Sequence, residues 1–419
     1  MYQTHVFMKI LHTSDWHLGR SLYGRQRYDE FEAFLDWLSE TIWRNEVSTL
    51  LVSGDIFDNS TPSTRAQELY YRFLGQTIRS SCRHIVIIAG NHDSPAFLDA
   101  PQQLLKALDI HVIGHGNHPP EEEVLVLRDE NGHPELIVCA VPYLRDRDIR
   151  TSESGESADL KEQKLLEGIR THYANVAAFA EQKRQELGGD IPVVAMGHLF
   201  TAGGQTIDGD GVRELYVGSL AHVTAGIFPD NLDYVALGHL HVPQTVNHTD
   251  TIRYSGSPLP MGFGEARQQK SVCLVEFQGT VPTVRTLGVP VFQRLESIRG
   301  DLDTLMTRIR ELAAEDETIW LEVIYKGAEI IGDLRERLES AVKGTRLDII
   351  RVRDQRIIDR VLERTQPEET LHDMDVYEVF SRCLDAHDIP EEQCPELTAT
   401  YREAVFSLEN DERPATQKD

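Results

Sequence analysis

Cysteine is scarce in this sequence of 419 residues: the five present are scattered and form no CxxC pair. An odd number of widely spaced cysteines argues against a disulfide framework and a zinc ribbon. No apolar run approaches the roughly 20 residues that cross a bilayer. A GxxxxGK[ST] phosphate-binding loop is also missing, so we expect no nucleotide to bind in that way. These absences predict a cytoplasmic protein with reduced cysteines and no membrane association.

Basic residues are few relative to acidic ones. The chain has 42 Lys and Arg against 68 Asp and Glu, a formal net charge of −26. This balance argues against a protein that binds a polyanion unaided. The imbalance is uneven, because residues 361–419 hold five basic and sixteen acidic side chains, whereas residues 1–110 hold ten and thirteen. The acidic charge is therefore concentrated away from the N-terminal region.

Short aliphatic runs alternate with helix-like segments along the chain, which is the pattern of layered α/β architecture. The runs predict strands at residues 9–12, 49–52, 85–89, 192–195 and 234–237. Apolar side chains at helical spacing predict helices over 28–43 and 160–186. After residue 290, a strand–helix–strand–helix–strand pattern predicts a smaller domain, with helices that start near Asp301 and Asp333. The predicted parts are a catalytic domain (1–289), an α/β capping domain (290–357) and a C-terminal segment (358–419).

Clusters of His, Asp and Asn follow directly on the five predicted strands. They offer seven metal-ligand types: Asp15, His17, Asp55, Asn91, His198, His239 and His241. Loops at the carboxyl ends of strands in an open α/β sheet converge on one crevice, so these clusters can meet. Seven ligands suit two ions that share a bridging carboxylate, and such a pair of ions hydrolyses phosphoesters. Glycine precedes four ligands, and we expect unusual backbone angles at each of Gly54, Gly90, Gly197 and Gly238.

The series DxH, GDxxD, GNHD, GH and GHxH resembles the calcineurin-like metallophosphoesterase superfamily. Within it, residues 11–19, 234–241 and 254–258 are most similar to the SbcD family, the nuclease subunits of bacterial SbcC–SbcD complexes. The resemblance covers nearly the whole chain. It implies a four-layer α/β/β/α sandwich with a small α/β capping domain and C-terminal partner-binding helices. It also implies two divalent ions, which we expect to be Mn²⁺. One ion would be held by Asp15, His17, Asp55 and His241, and the other by Asp55, Asn91, His198 and His239.

The resemblance assigns catalytic roles to two further residues. His92 is expected to meet the phosphate and to stabilise or protonate the leaving oxygen, while Asp93 orients it. The alternative for His92 is a structural, hydrogen-bonded histidine. Several archaeal and eukaryotic relatives have a second catalytic histidine three residues after the bridging aspartate, where this chain has Asp58. A second imidazole at the leaving group is therefore not expected here.

Arginines in the loop after the first metal motif indicate a DNA-binding surface. Arg20, Arg25 and Arg27 are interleaved with Tyr23 and Tyr28, a composition that suits contact with a phosphate backbone. An ordinary solvated loop has the same composition, so that alternative stays open.

Two amphipathic stripes in the most acidic part of the chain predict helices that bind a partner protein. Their apolar residues are Met374, Tyr377 and Phe380 in the first, and Leu397, Tyr401 and Leu408 in the second. Packing on the protein's own core is the alternative. The resemblance implies that the partner is an SbcC-type coiled-coil ATPase, and that the chain works as a homodimer within a heterotetramer.

The function implied by the resemblance is metal-dependent cleavage of DNA. It comprises ATP-dependent 3′ to 5′ exonuclease action on double-stranded ends and endonuclease action on single strands and hairpins, in DNA repair, recombination and replication. Two alternatives remain, a metallophosphodiesterase of small substrates and a structural subunit with a non-catalytic metal site. Met8 would make a sensible start, so we expect residues 1–7 to have no functional weight.

Overall fold

The computed structural model describes most of the chain up to residue 355. The described residues are 8–116, 119–149, 157–201, 225–327, 329 and 331–355, with Phe380, Leu384, Leu397, Thr398 and Tyr401. The chain divides into two compact units, Met1–Arg294 and Leu295–Asp419. Within the described ranges, no helix is long and apolar enough to span a membrane.

The elements are numbered in chain order. The strands are β1 (Met8–Thr13), β2 (Ser21–Leu22), β3 (Arg25–Gln26), β4 (Thr49–Ser53), β5 (His84–Ile88), β6 (Ile110–Ile113), β7 (Val124–Arg128), β8 (Pro134–Ala140), β9 (Val193–His198), β10 (Tyr234–Gly238), β11 (Gln244–Val246), β12 (Thr249–Tyr254), β13 (Ser271–Gln278), β14 (Val281–Gly288), β15 (Arg294–Gly300), β16 (Ile319–Tyr325) and β17 (Leu347–Asp354). The helices are α1 (Tyr28–Asn45), α2 (Thr64–Thr77), α3 (Pro95–Asp99), α4 (Gln102–Lys106), α5 (Pro120–Glu123), α6 (Asp146–Ile149), α7 (Ala158–Glu186), α8 (Leu302–Ala313) and α9 (Leu334–Val342).

Two six-stranded sheets form the body of the first unit. Sheet A has the order β14-β13-β1-β4-β5-β6, and sheet B has the order β11-β12-β10-β9-β8-β7. Strands β1, β4, β5 and β6 run parallel, as do β8, β9, β10 and β12. Antiparallel strands complete both sheets: β13 and β14 in sheet A, and β7 and β11 in sheet B. The parallel strands bring their carboxyl ends to one side of each sheet.

Side chains that alternate along each strand build the layers of the first unit. In β5, Ile85 and Ile87 pack in the cluster that contains α1 and α2, whereas Val86 and Ile88 pack between the two sheets. Strand β9 alternates in the same way between α7 and sheet A. The order is therefore helix, sheet, sheet, helix, and the predicted α/β/β/α sandwich is confirmed.

The second unit has the predicted order of strand, helix, strand, helix and strand. Its sheet has the order β15-β16-β17, in which β16 and β17 are parallel. Helix α8 begins after Asp301, whose carboxylate accepts a hydrogen bond of 2.9 Å from the Thr304 N–H. This N-cap satisfies one of the free donors of the first turn. Helix α9 begins after Asp333, so both predicted helix starts are confirmed.

Candidate metal centre

The seven predicted ligands lie together where strands of both sheets end. Backbone hydrogen bonds join the first two loops, because the Asp15 N–H donates to the Gly54 carbonyl and the His17 N–H to the Asp55 carbonyl, both at 3.0 Å. The two sheets are joined by the His239 N–H, which donates to the Asp15 carboxylate at 3.0 Å. Hydrogen bonds therefore connect the loops that follow β1, β4 and β10 around the site.

Asp55 lies at the middle of the cluster. One carboxylate oxygen, Oδ2, is 3.3 Å from Nε2 of His198 and 3.6 Å from Nε2 of His17. Burial alone would raise the pKa of Asp55, but His198 and His17 hold it well below its usual value. Burial also opposes charge on His198, yet the Asp55 carboxylate raises the pKa of that ring to about 9. The space beside Asp55 therefore favours positive charge.

The other ligands flank Asp55 on two sides. On one side, Nε2 of His17 and Nε2 of His241 are 3.2 Å apart. On the other, Oδ1 of Asn91 is 3.0 Å from Nε2 of His198 and 3.1 Å from Nδ1 of His239. Ring nitrogens and amide oxygens that lie this close together are typical of the ligands of a cation site.

The donor set fits divalent ions. Three groups each offer three ligand atoms within 4.8 Å of one another: Asp15, His17 and His241; Asp15, Asp55 and His198; and His17, Asp55 and His92. Carboxylate oxygens and imidazole nitrogens are ligands that divalent transition ions accept. The His198 ring is also oriented from behind, because its Nδ1–H donates to the Ser53 carbonyl at 2.9 Å. This bond fixes the ring so that Nε2 lies on the side of Asp55.

Four of the ligands have left-handed backbone conformations. Their φ angles are 53° at Asp15, 48° at His17, 50° at Asp55 and 104° at His239. Such angles are uncommon for residues with a side chain and often occur at functional sites. This feature was not predicted from the sequence, because the unusual backbone angles were expected at the preceding glycines and not at the ligands themselves.

The glycine interpretation needs correction at three positions. Only Gly54 has a positive φ, of 85°. At the other three, glycine is required by close approach, because an added Cβ would overlap Asp55 at Gly90, the Tyr173 hydroxyl at Gly197 and the Ser53 carbonyl at Gly238.

Replacing Gly238 by alanine tests this close approach. A Cβ at this position would overlap the Ser53 carbonyl and lie 2.9 Å from Nδ1 of His198, so Gly238→Ala must push these two groups apart. We expect a loss of about 1–3 kcal/mol in the free energy of unfolding and weaker Mn²⁺ binding. Gly75→Ala is the matched control, because nothing lies within 4 Å of its Cβ and it belongs to α2. It should stabilise by roughly 0.5–1 kcal/mol. Urea denaturation would measure the free energy of unfolding of the two variants, and calorimetric titration would measure their Mn²⁺ affinity. Equal effects of Gly238→Ala and Gly75→Ala would contradict a close approach at Gly238.

His92 is half-buried beside the cluster. Its Nδ1–H donates to the Asp58 carbonyl at 2.8 Å, and its backbone N–H donates to Oδ1 of Asp55 at 2.9 Å. The ring lies edge-on to His17, with centroids 4.9 Å apart. Because Nδ1 carries the proton, Nε2 is the atom that remains for a substrate.

The predicted role of Asp93 requires correction. Its carboxylate is buried and accepts backbone N–H groups of Gly90, Ile56 and Phe57, at 2.9, 3.2 and 3.0 Å. It therefore joins the loops that follow β4 and β5 and does not orient the His92 ring, which the Asp58 carbonyl does. Burial and the neighbouring Asp55 charge raise the pKa of Asp93 to about 6, although the backbone donors oppose this.

Asp58 occupies the position of the second histidine in some relatives. Its Oδ1 is 3.4 Å from Nδ1 of His17 and 3.2 Å from the Arg20 guanidinium. Burial would raise the pKa of Asp58, but His17 and Arg20 lower it below its usual value. In this chain the residue therefore supports His17 from behind.

Sequence reasoning missed a polar layer behind Asp15 and His241. Ser14 donates to the Asp15 carboxylate. Glu265 lies 3.8 Å from Nδ1 of His241 and pairs with Lys270, which also donates to the His241 carbonyl at 3.0 Å. These are single residues with no characteristic spacing, so no motif could identify them. Lys270 is only 4% exposed, so it belongs to this buried layer.

The three arginines proposed to bind DNA have different environments. Arg27 is 1% exposed, donates two hydrogen bonds to Glu30 and another to the Pro260 carbonyl, so its assignment as a DNA contact is corrected. Arg20 is largely buried against Asp58. Arg25 is exposed on the β2–β3 hairpin. The hairpin has a two-residue turn, Tyr23 and Gly24, with the two positive φ angles typical of type I′.

Only part of the predicted partner-binding surface lies within the described residues. The rings of Phe380 and Tyr401 stack with centroids 4.0 Å apart. Leu397 is 39% exposed. The remaining predicted residues, Met374, Tyr377 and Leu408, lie outside the described residues.

Comparisons with known proteins agree with this fold. A family model described as calcineurin-like phosphoesterase matches residues 8–243, so the chain is of the calcineurin-like phosphoesterase class. A second model, SbcD_C, described as type 5 capsule protein repressor C-terminal domain, matches residues 291–388.

Similar proteins narrow the assignment to one family. The SbcD component of nuclease SbcCD from Escherichia coli (strain K12) is 34% identical over 404 residues, which is 96% of this chain and 98% of its own. Its counterparts in Rhodobacter capsulatus and Bacillus subtilis are each 36% identical, over 65% and 64% of this chain and 67% and 66% of theirs. The chain therefore belongs to the SbcD family of nuclease SbcCD components.

Proposed function

We propose that this chain is the DNA-cutting subunit of an SbcCD-type nuclease. Its activities would be ATP-dependent 3′ to 5′ exonuclease action on double-stranded ends and endonuclease action on single strands and hairpins. The observation that carries the proposal is the gathering of six further ligand side chains around Asp55. The family relationship supplies the substrate, because the site itself indicates phosphoester chemistry and not a particular polymer.

Two Mn²⁺ ions would occupy the candidate metal centre. Asp15, His17, Asp55 and His241 would hold the first, and Asp55, Asn91, His198 and His239 the second. The short distances between His17 and His241, and between Asn91 and the rings of His198 and His239, support this division. When bound, two such ions supply Lewis acidity at the phosphate and activate water.

The protein residues position the substrate and move a proton. The Asp58 carbonyl holds the Nδ1–H of His92, so that ring presents Nε2 to the oxygen that leaves. As an imidazolium, His92 keeps this bond and donates from Nε2. The hydrogen bond from the His92 N–H to Asp55 holds His92 beside the proposed bridging ligand, and such fixed placement favours catalysis.

A direct assay tests the proposed function. The metal-free chain would be reconstituted with Mn²⁺ and with its SbcC-type ATPase partner, and end-labelled linear duplex would be compared with a chromogenic phosphodiester. We expect ATP-dependent shortening of the duplex by the complex. A complex that hydrolyses small diesters or cyclic nucleotides while it leaves duplex, single-stranded and hairpin DNA intact would favour a small-substrate enzyme. Failure on every substrate, with both ions bound, would favour a structural subunit.

Arg25 is the best-placed arginine for contact with DNA, because the hairpin that carries it follows the His17 loop by only a few residues. Charge reversal in Arg25→Glu should lower duplex cleavage roughly tenfold near physiological salt and make the salt slope shallower by about one. Hydrolysis of the chromogenic diester should stay unchanged. Arg170→Glu on α7 is the matched control, since Arg170 is also exposed but belongs to the outer helix layer. Equal losses in both variants would exclude a specific contact.

The three parts of the chain would have different roles in the complex. We propose that 1–289 is the nuclease domain, 290–357 the capping domain and 358–419 the segment that binds the coiled-coil ATPase. The acidic composition of 361–419 supports docking to a protein, because a DNA surface would repel it. A partner with its own basic surface would also supply the DNA affinity that a chain of net charge −26 lacks. The working assembly would be a homodimer of this chain within a heterotetramer.

A further inference from the structure

A second cluster of metal-ligand types lies at the other end of sheet A. His84, Asp109 and His111 offer three ligand atoms within 4.8 Å of one another. His84 begins β5, whereas Asn91 of the first centre follows the end of that strand. Seven residues of extended chain separate them by roughly 20 Å. The cluster is therefore distinct from the centre around Asp55.

His84 has a free lone pair in a buried position. The residue is 7% exposed, and its Nε2 lies 2.8 Å from the Arg128 carbonyl oxygen. A carbonyl only accepts, so Nε2 carries a proton, and in the neutral ring the lone pair is on Nδ1. Nδ1 is buried and has no hydrogen-bond partner among the described residues. Leaving such an acceptor unsatisfied costs about 1–3 kcal/mol, which a bound cation would remove.

The pairing of β5 with β6 brings Asp109 and His111 close to the His84 ring. The strands are parallel, with His111 opposite Val86, and the Ile85 N–H donates to the Asp109 carbonyl at 3.1 Å. Alternation places His84 with Val86 on the face of sheet A that meets sheet B, and His111 shares that face across the strand pair. Asp109 is exposed, so its carboxylate can rotate toward the two rings.

We propose that Nδ1 of His84, a ring nitrogen of His111 and the Asp109 carboxylate bind one Zn²⁺ ion, with water in the fourth position. Two imidazoles and a carboxylate are a zinc ligand set, and the exposed Asp109 leaves one side open to solvent. The Arg128 carbonyl fixes the tautomer and orientation of His84, as outer groups do for zinc-binding histidines. Glu135 is excluded because both of its oxygens pair with Arg83 at 2.7 Å.

A bound zinc ion would link the beginning of β5 to the beginning of β6. Ligands at about 2.0–2.2 Å from zinc lie roughly 3.3–3.6 Å from one another in a tetrahedron. The ligand atoms already lie within 4.8 Å, so small side-chain rotations would complete the site without movement of the strands. The two imidazoles make zinc a better occupant than Mn²⁺, which binds more weakly to such ligands.

Anomalous scattering at the zinc edge tests the site directly. Crystals of the full-length chain would be soaked in Zn²⁺, and we expect a peak between His84, Asp109 and His111, separate from any peak beside Asp55. Equilibrium dialysis should show that Asp109→Asn and His111→Ala each bind one zinc fewer than the unchanged chain, or bind it at least about tenfold more weakly. Asparagine suits the left-handed φ of 55° at residue 109, so the first variant keeps the backbone.

His133→Ala is the matched control, because it removes an exposed histidine from the β7–β8 connection and should leave zinc binding unchanged. Mn²⁺-dependent diester hydrolysis should be the same in all four proteins. Absence of the anomalous peak, or equal zinc content in both ligand variants and the unchanged chain, would overturn the proposal. These results do not depend on whether the Asp55 centre cleaves DNA.

Discussion

Asp55→Asn is expected to reduce Mn²⁺-dependent hydrolysis by more than about a thousandfold, because it removes the charge that both ions would share. The substitution preserves shape, and Oδ1 of the asparagine can still accept the His92 N–H. The other oxygen, which lies between His198 and His17, becomes an uncharged amide group. We therefore expect the folded state to persist while at least one ion is lost, as measured by metal analysis after gel filtration and by diester turnover.

Asp58→Asn is the matched control for that change. The same substitution three residues later removes a carboxylate that touches His17 and Arg20 but leaves the carbonyl that holds His92. Its effect should be near tenfold, because Asp58 acts on a ligand and is not one. If the two variants lost activity equally, or if the Asp55 variant kept both ions and its turnover, Asp55 would not bridge the ions.

His92→Asn is expected to lower cleavage of duplex DNA by about 10²–10⁴-fold with both ions retained. The asparagine amide can replace Nδ1–H as a donor to the Asp58 carbonyl, so the loop should keep its geometry. What disappears is Nε2, the atom proposed to donate to the leaving oxygen. Single-turnover cleavage by the partner-bound complex, with metal content measured in parallel, gives the effect.

Two substrates distinguish the possible actions of His92. A p-nitrophenolate group leaves without a proton, so a general acid at His92 predicts a much smaller loss for the chromogenic diester than for DNA. Similar losses on both substrates would indicate that His92 stabilises charge on the phosphate instead. Unchanged DNA cleavage in His92→Asn would leave it a structural histidine only. His92→Leu, which also loses the bond to Asp58, provides a second variant for the same comparison.

Local periodicity was enough to predict the elements that carry the ligands. The five predicted strands occur as β1, β4, β5, β9 and β10, and the two predicted helices as α1 and α7. Each is identified by side chains a few residues apart. The neighbours of these strands were not predictable in that way, because β13 reaches β1 through pairs such as Leu11 with Leu274. Such pairing depends on packing between distant segments, which one sequence does not display.

The candidate site shows the same division. Residue type and position after a strand predicted the side chains that gather around Asp55. Composition could not tell Arg27 from Arg25, because a loop arginine has the same neighbours in sequence whether it is buried against Glu30 or exposed on a hairpin. The layer formed by Glu265 and Lys270 was equally hidden, since a buried ion pair is defined by its surroundings in space.

The left-handed backbone around the ligands has a consequence for how the centre is used. Protein hydrogen bonds, such as that from His239 to Asp15, enforce these conformations, so assembly of the sandwich sets the strain before any cation arrives. We therefore expect metal binding to fill a preformed site and not to drive folding, unlike small domains that fold only around their metal. A site of this kind can lose its ions and bind them again while the protein stays folded.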